Sequence, residues 1–253
     1  MRSGRSWGKK DDRCDPDDPA DRKLGSVWDH VAFDPQTKLA ISVVAGKRGV
    51  ANVGRVVREF AARTDGSIPQ LVTTDWYKPY RDALLEVYGK LVAVPRRFRR
   101  GRTPKPRHQE PTDMVYVAVQ KHRRKGRVVK VSLRRIFGTN ERAEQALAQS
   151  SVSHQFNTTF VERYNATDRH LNARKGRKVY RFSKDPELHQ AATAYSKGIY
   201  NFCRANRGLT LRGAPAKDRR LVHRTPAMAQ GITDHVWSVS EFVHRQACPP
   251  VTL

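Results

Sequence analysis

The segment LVTTDWYKPY, residues 71–80, decides the fold and raises the functional question. Residues 68–74 form a short apolar run that ends in two threonines, and Asp75 follows directly. A run of this kind predicts a buried β-strand with Asp75 at its carboxyl end. Open α/β sheets bind ligands at that edge, but an aspartate there can also cap the next helix. The segment itself leaves both roles of Asp75 open.

The segments around residues 71–80 predict alternating strands and helices. Residues 26–46 predict a hairpin with its turn at residues 34–37, where Asp and Pro are typical turn residues. Residues 49–64 carry apolar side chains with helical spacing, and residues 78–89 predict a helix that ends at Gly89. The order β-β-α-β-α favours the α/β class.

The later part of the chain predicts further elements and then a loop-rich tail. In order, we expect an irregular basic segment at 95–108, a hairpin at 113–138 with its turn near 125–126, a helix at 140–150, a helix that begins after residue 154, a helix at 185–206, and a loop-like tail with a short apolar end around Trp237. The expected domains are a charged arm at 1–25, a main domain at 26–206 and the tail at 207–253.

The charge of the chain indicates a polyanionic partner. Lys and Arg number 49 against 24 Asp and Glu, so the net charge is +25. Three stretches carry much of the excess: 96–107, 121–135 and 163–184. Contacts between such residues and phosphates supply sequence-independent affinity for nucleic acid, although a solvated basic surface is the simpler alternative. No apolar run approaches the ~20 residues of a membrane span, so no membrane partner is expected.

The three cysteines also bear on the class of protein. Cys14, Cys203 and Cys248 are far apart and odd in number. This pattern disfavours a disulfide framework or a zinc cluster and favours a reducing cytoplasm. We therefore expect a cytoplasmic protein.

Two carboxylates are candidates for catalysis. Glu162 lies at the start of a predicted helix, and Asp75 lies at the end of a predicted strand. Two-metal phosphodiester chemistry brings acidic side chains from separate elements onto a shared pair of ions, and carboxylate oxygens suit Mg²⁺ or Mn²⁺. Alternatively, Thr159 and Glu162 have the spacing of a capping box, in which Glu162 only closes the helix start.

Several blocks of the sequence resemble the DDE transposases of bacterial insertion sequences, in the subgroup similar to insertion sequence one. The most specific blocks are LVTTDWYKPYRDALLEVYG, NTTFVERYNATDRHLNARKGRKVYRFSKD and RTPAMAQGITDHVWSVSEFV, and the resemblance runs from about residue 6 to 243. It implies an RNase H-like fold, with a five-stranded mixed sheet and helices on both faces. It also implies metal-dependent DNA cleavage and strand transfer by multimers, with Asp75 as the second aspartate of the triad and Glu162 as the glutamate. The cytoplasm would then be bacterial, and the protein would be associated with the nucleoid when bound to DNA.

The chain departs from the family pattern at the first aspartate. In the family this residue lies in a block resembling Asp-Glu-x-Trp-Ser-Phe, and the equivalent place here is RSGRSW, residues 2–7. Neither Arg2 nor Ser3 is a carboxylate, so we expect a chain that lacks its N-terminal part and has weak or no catalysis. Asp29 is a possible stand-in for the first aspartate.

The basic residues near the expected site are candidates for DNA contact. They are Arg99, Arg100, Arg163, Asn165, Arg169, Arg174, Lys175, Arg177 and Lys178. Tyr164, Tyr180 and Phe182 lie among these charges and could stack on bases, but core positions are favoured for them. Two other functions stay open: a DNA-binding transposase remnant that no longer cuts, and a basic RNA-associated protein.

Overall fold

The computed structural model describes residues 5–7, 9, 13–15, 17–21, 24–95, 104–176, 180–181, 183–212 and 221–245. The described strands are β1 (Arg5–Trp7), β2 (Gly25–Phe33), β3 (Ala40–Gly46), β4 (Leu71–Asp75), β5 (Lys90–Val92), β6 (Arg107–Gln109), β7 (Val115–Arg124), β8 (Arg127–Phe137), β9 (Leu211–Arg212) and β10 (Leu221–Val222). The described helices are α1 (Val50–Arg63), α2 (Pro79–Tyr88), α3 (Asn140–Ala148), α4 (Thr159–Leu171), α5 (Pro186–Gly198), α6 (Pro226–Ala229) and α7 (Val239–His244).

The chain divides into two compact units. One is Gly49–Thr158, and the other combines Met1–Arg48 with Thr159–Leu253. The mixed α/β class is confirmed, because a sheet with both parallel and antiparallel pairs is flanked by helices. The expected boundaries after residues 25 and 206 stay predictions. Among the described helices, none combines the length and the apolar character needed to cross a bilayer.

The unit Gly49–Thr158 is built on the sheet β4-β7-β8. β4 pairs in parallel with β7, which pairs antiparallel with β8. The turn between β7 and β8 lies at Lys125 and Gly126, as predicted, and both have positive φ, 49° and 80°. Two left-handed residues in succession give the turn whose twist matches that of the paired strands.

The helices of this unit follow the apolar spacing of the sequence. α1 packs against α2 and buries Val53, Val56 and Val57. α3 contacts β4 and β7, where Ala143 joins the core of Val115 and Val117. The helices expected at 49–64, 78–89 and 140–150 are therefore confirmed.

The other unit is built on the antiparallel sheet β1-β2-β3. The hairpin expected at 26–46 is confirmed, and the carboxylate of Asp34 accepts bonds of 3.0 Å from the backbone N–H groups of Gln36 and Thr37 in its turn. α4 contacts β2, and α5 contacts β3. Both helices therefore lie over this hairpin.

An aromatic cluster fixes α4 in this unit. Tyr164 of α4 is buried, with its ring centroid 5.4 Å from that of Phe33 and 4.9 Å from that of Tyr200. Tyr200 lies in a π-helical turn, Ile199–Cys203, which extends α5. The next residue, Asn201, bonds both the backbone N–H and the carbonyl of Ala40, at 3.1 and 3.0 Å, and so supplies a side-chain partner to β3.

Two elements differ from the sequence expectations in detail. β4 begins at Leu71 and its five residues are half-buried rather than buried, because β4 is the edge strand of its sheet. The tail is loop-rich, as expected, but it contains the pair β9 and β10 and the short helices α6 and α7. The apolar end around Trp237 is part of a packed cluster, because the Trp237 ring stacks on Phe202 at 4.4 Å.

Candidate functional site

Asp75 is the last residue of β4 and lies three residues before the N-cap position of the following helix. It pairs with Val119 in the parallel ladder between β4 and β7. α2 begins at Pro79, its N-cap position is Lys78, and no side-chain bond closes that end. Asp75 is therefore not the N-cap residue of α2, and it stands at the carboxyl end of a parallel-paired strand, where α/β sheets place ligands.

The face of the sheet that carries Asp75 follows from the alternation along β4. Successive side chains of a strand point to opposite faces, so Leu71, Thr73 and Asp75 share one face. Leu71 packs on Val115 and Val117 there, and Thr73 donates a 3.1 Å bond to the carbonyl of Asn157. The chain segment that leads into α4 is thus attached to the Asp75 face.

Glu162 lies in the first turn of α4 and is half-buried. Tyr164 and Asp168 are the buried residues of this helix. Residues three, four and seven positions apart share a helix face, so Asn165 and Arg169 lie on the Glu162 side. The helix therefore presents a carboxylate, an amide and a guanidinium together, away from its buried stripe.

The two predicted metal ligands belong to different units. Asp75 is part of Gly49–Thr158, and Glu162 is part of the unit that includes Thr159–Leu253. Within the described ranges, no group of three or more His, Cys, Asp or Glu side chains is arranged to hold a metal ion. The convergence of Asp75 and Glu162 on a shared ion stays a prediction.

Asp29, the possible stand-in for the first aspartate, lies in a buried ionic network. It stands opposite Ala45 in the β2-β3 ladder, and its side chain is 12% exposed. The ammonium of Lys175 is 3.3 Å from one oxygen, and Nε2 of His189 is 3.8 Å from the other. An ammonium this close opposes a divalent cation at the same carboxylate, so the surroundings of Asp29 favour a structural role.

Lys175 does not have the exposed position that a predicted DNA contact needs. Its side chain is fully buried, and its ammonium lies 2.6 Å from the carboxylate of Asp168, which also accepts a 2.9 Å bond from Ser196. The sequence ARKGRK suggested a solvated basic run, but this lysine neutralises the carboxylates of Asp29 and Asp168 instead. Lys175 is therefore not available to a DNA backbone.

The other predicted DNA contacts have different positions. Arg163 and Arg174 are exposed, while Asn165 and Arg169 are half-buried. The remaining predicted contacts, Arg99, Arg100, Arg177 and Lys178, lie outside the described residues, as does Phe182.

The two described aromatic residues of the basic stretch divide between core and surface. Tyr164 is in the core, as favoured, and the same burial raises its pKa well above the ordinary value. Tyr180, in contrast, is fully exposed, so the core position expected for it is wrong.

Cations of separate elements meet beside α4. Burial and the charge of Arg163 lower the pKa of Lys38, which lies in the β2-β3 turn with a positive φ of 59°. Burial raises the pKa of the nearby Tyr200 to about 12, against the opposing effect of the Asn206 bond and of Arg204 and Arg163. Because like charges next to each other destabilise both, this arrangement favours an anion close to Arg163.

Comparisons of the chain with protein-family models, with curated proteins and with solved structures found no match.

Proposed function

We propose that the chain carries the catalytic domain of a DDE transposase, which cuts the ends of a mobile element and joins them to target DNA. Its partners are DNA and further copies of itself on that DNA. Asp75 and Glu162 would hold Mg²⁺ or Mn²⁺, since carboxylate oxygens are the donors these ions prefer. When bound, such ions activate the attacking oxygen and neutralise the leaving one.

The observation that carries this proposal is the position of Asp75. A carboxylate at the carboxyl end of a parallel-paired strand occupies the edge where α/β sheets bind ligands, and Asp75 is not the N-cap residue of α2. The resemblance in the blocks around Asp75 and Glu162 then gives that ligand an identity. A basic nucleic-acid-binding protein without catalysis would explain the net charge but not this carboxylate.

Chain connectivity also supports the meeting of the two carboxylates. Asn157 is bonded to Thr73 on the Asp75 face, and α4 begins at Thr159. Two extended residues and three helical ones span at most about 12 Å. A chain span of this length is compatible with the proposed meeting of the two carboxylates.

The RNase H-like form of the fold belongs to the same proposal. The connectivity supports it: an antiparallel three-stranded sheet is followed by a helix, a strand, a helix and a parallel-paired strand. β1 covers residues 5–7, within the block where the family carries its first aspartate.

The missing first carboxylate favours a second function. With no carboxylate at Arg2 or Ser3, one ion would lack a ligand and two-metal chemistry would be impaired. The alternative is a DNA-binding transposase remnant that occupies DNA ends without cutting them.

The deciding experiment is nicking of a supercoiled plasmid in Mg²⁺ or Mn²⁺. We expect slow nicking by the chain as it stands and, in Arg2→Asp, an increase of about 100-fold, since metal stabilisation is worth several kcal/mol and each 1.36 kcal/mol is tenfold in rate. Asp75→Asn or Glu162→Gln in the Arg2→Asp variant should abolish nicking, while Glu86→Gln, an exposed carboxylate of α2 paired with Arg58, should retain it.

The outcomes separate the two functions. Metal-dependent nicking that needs both carboxylates supports the transposase. DNA binding in EDTA, together with no nicking by either the chain or Arg2→Asp, supports the remnant.

A further inference from the structure

A cavity of about 380 Å³ lies in the unit Gly49–Thr158. Its floor residues Tyr116 and Ala118 pair with Val72 and Thr74 in the β4-β7 ladder. Because side chains alternate along a strand, the cavity opens on the face of the sheet opposite to Asp75. Its walls come from the loop after β4, the start of α2 and strands β7 and β8; the residues that matter are Trp76, Lys78, Arg81, Tyr116, Ala118 and Arg134. The volume falls at the lower end of the range of small-ligand pockets. Trp76, one of the lining residues, directly follows Asp75 in the chain.

The lining combines aromatic rings with cations. The guanidinium of Arg134 lies 5.5 Å from the ring centroid of the half-buried Trp76. Lys78 and Arg81 are exposed at the rim, and one carboxylate, Asp82, pairs with Arg81 at 3.1 Å. A site with a flat apolar platform and excess positive charge suits a planar aromatic group that carries a negative charge.

The floor of the cavity is fixed. Tyr116 is buried, and its hydroxyl lies 2.7 Å from that of Thr74. Its ring packs edge-on against Phe137 at 5.4 Å, and burial raises the pKa of its phenol, so the floor stays neutral. Ala118 faces Arg134 across the β7-β8 ladder, and its small side chain leaves the space above the floor open.

We propose that this cavity binds one unstacked nucleobase of the DNA strand, with its phosphate held at the rim. The base stacks on the indole of Trp76 in place of the Arg134 guanidinium, which then pairs with a phosphate beside Lys78 and Arg81. The inference rests on the proposed function for the identity of the polymer. Removal of a base from the duplex stack costs a few kcal/mol, so single-stranded or frayed DNA is the preferred occupant.

The test compares two labelled 12-mers by fluorescence anisotropy in EDTA: a single strand with all its bases, and an abasic strand with the same sugars and phosphates. Both release the same counterions, so any difference between them reports the bases. Stacking of one base is worth ~1–3 kcal/mol, and we expect the intact strand to bind about tenfold more tightly, since 1.4 kcal/mol is tenfold in affinity.

Two variants test whether the preference for the intact strand depends on the cavity. Trp76→Ala should remove the preference for the intact strand and leave binding of the abasic strand unchanged. The matched control is Trp28→Ala, because Trp28 also carries an arginine, Arg48, 4.6 Å from its ring but lies in the other unit. Equal binding of the two strands by the unmodified chain, or a preference that survives Trp76→Ala, overturns the proposal.

A second measurement does not depend on a folded variant. Oligonucleotides that contain 5-iodouracil should crosslink to a peptide that includes Trp76, and a crosslink confined to other peptides contradicts the proposal. The assay also separates this inference from the proposed function. Base-dependent binding without nicking by the chain or by Arg2→Asp supports the nucleobase cavity and contradicts the transposase. Nicking without base-dependent binding supports the transposase and contradicts the nucleobase cavity.

Discussion

The hydroxyl of Thr73 donates a 3.1 Å hydrogen bond to the carbonyl of Asn157, although the two residues are 84 positions apart. Thr73 is two residues before Asp75 on the same face of β4, and Asn157 is two residues before α4. This bond links the strand that ends in one proposed catalytic carboxylate to the segment that leads to the other.

Replacement of Thr73 tests that link. Thr73→Val keeps the shape of the side chain and removes the donor, so we expect the free energy of unfolding to fall by about 1 kcal/mol. The matched control is Thr167→Val, since that hydroxyl only bonds the carbonyl of Arg163 within α4, at 3.2 Å. Denaturant unfolding measures both, and an equal effect of the two substitutions would argue against a special role for Thr73.

The neighbours Lys175 and Arg174 should respond to substitution in opposite ways. Lys175→Met leaves Asp29 and Asp168 without their buried cation, which should cost about 3–5 kcal/mol of stability. Arg174→Met changes an exposed side chain, so stability should hold while the salt-dependent affinity for DNA falls.

Thermal unfolding and a binding titration over a range of salt concentrations separate the two effects. A stable Lys175→Met variant with weakened DNA binding would contradict the structural role of Lys175 and would indicate that it contacts DNA.

His235 should titrate above its ordinary pKa. Hydrogen bonds from its ring to Asp234, at 2.6 Å, and to Glu241 of α7, at 3.1 Å, raise its pKa above 6.5. Because the folded state holds this proton more tightly, the contribution to stability is fully present below pH 6.5 and is lost as the pH rises through the folded pKa.

NMR titration of the His235 imidazole measures this pKa directly. Asp234→Asn should bring the pKa of His235 down, and Glu241→Gln should do so to a smaller extent, since Asp234 has the larger effect. A pKa at or below 6.5 in the unmodified chain would mean that this end of the tail does not pack as described.

The sequence predicts elements whose cause is local. The β2-β3 turn follows from Asp34, whose carboxylate binds two nearby N–H groups, and the β7-β8 turn follows from a Lys-Gly pair that tolerates positive φ. Asp75 could be identified as a candidate because the pattern of an apolar run followed by a carboxylate is short-range. The sequence could not exclude that Asp75 is the N-cap residue of the next helix, a position that Lys78 occupies in the structure.

Features that depend on distant residues are not visible in the sequence. Lys175 looks like part of a solvated basic run, and only the fold brings Asp29 and Asp168 to it. The cavity needs Trp76, which follows β4, and Arg134, which lies within β8, and these two residues share no local pattern. Asn201 likewise acts on Ala40, 161 residues earlier, through a helix that widens into a π turn.

Iron-mediated backbone cleavage tests most directly whether Asp75 and Glu162 share divalent cations. Fe²⁺ substituted for Mg²⁺, with ascorbate and peroxide, releases hydroxyl radicals that cut the polypeptide close to the ion. We expect cuts beside both residue 75 and residue 162 in the unmodified chain, and the loss of both cuts in Asp75→Asn as well as in Glu162→Gln. Cuts beside only one of them, or a cut at residue 162 that persists in Asp75→Asn, would contradict the shared site.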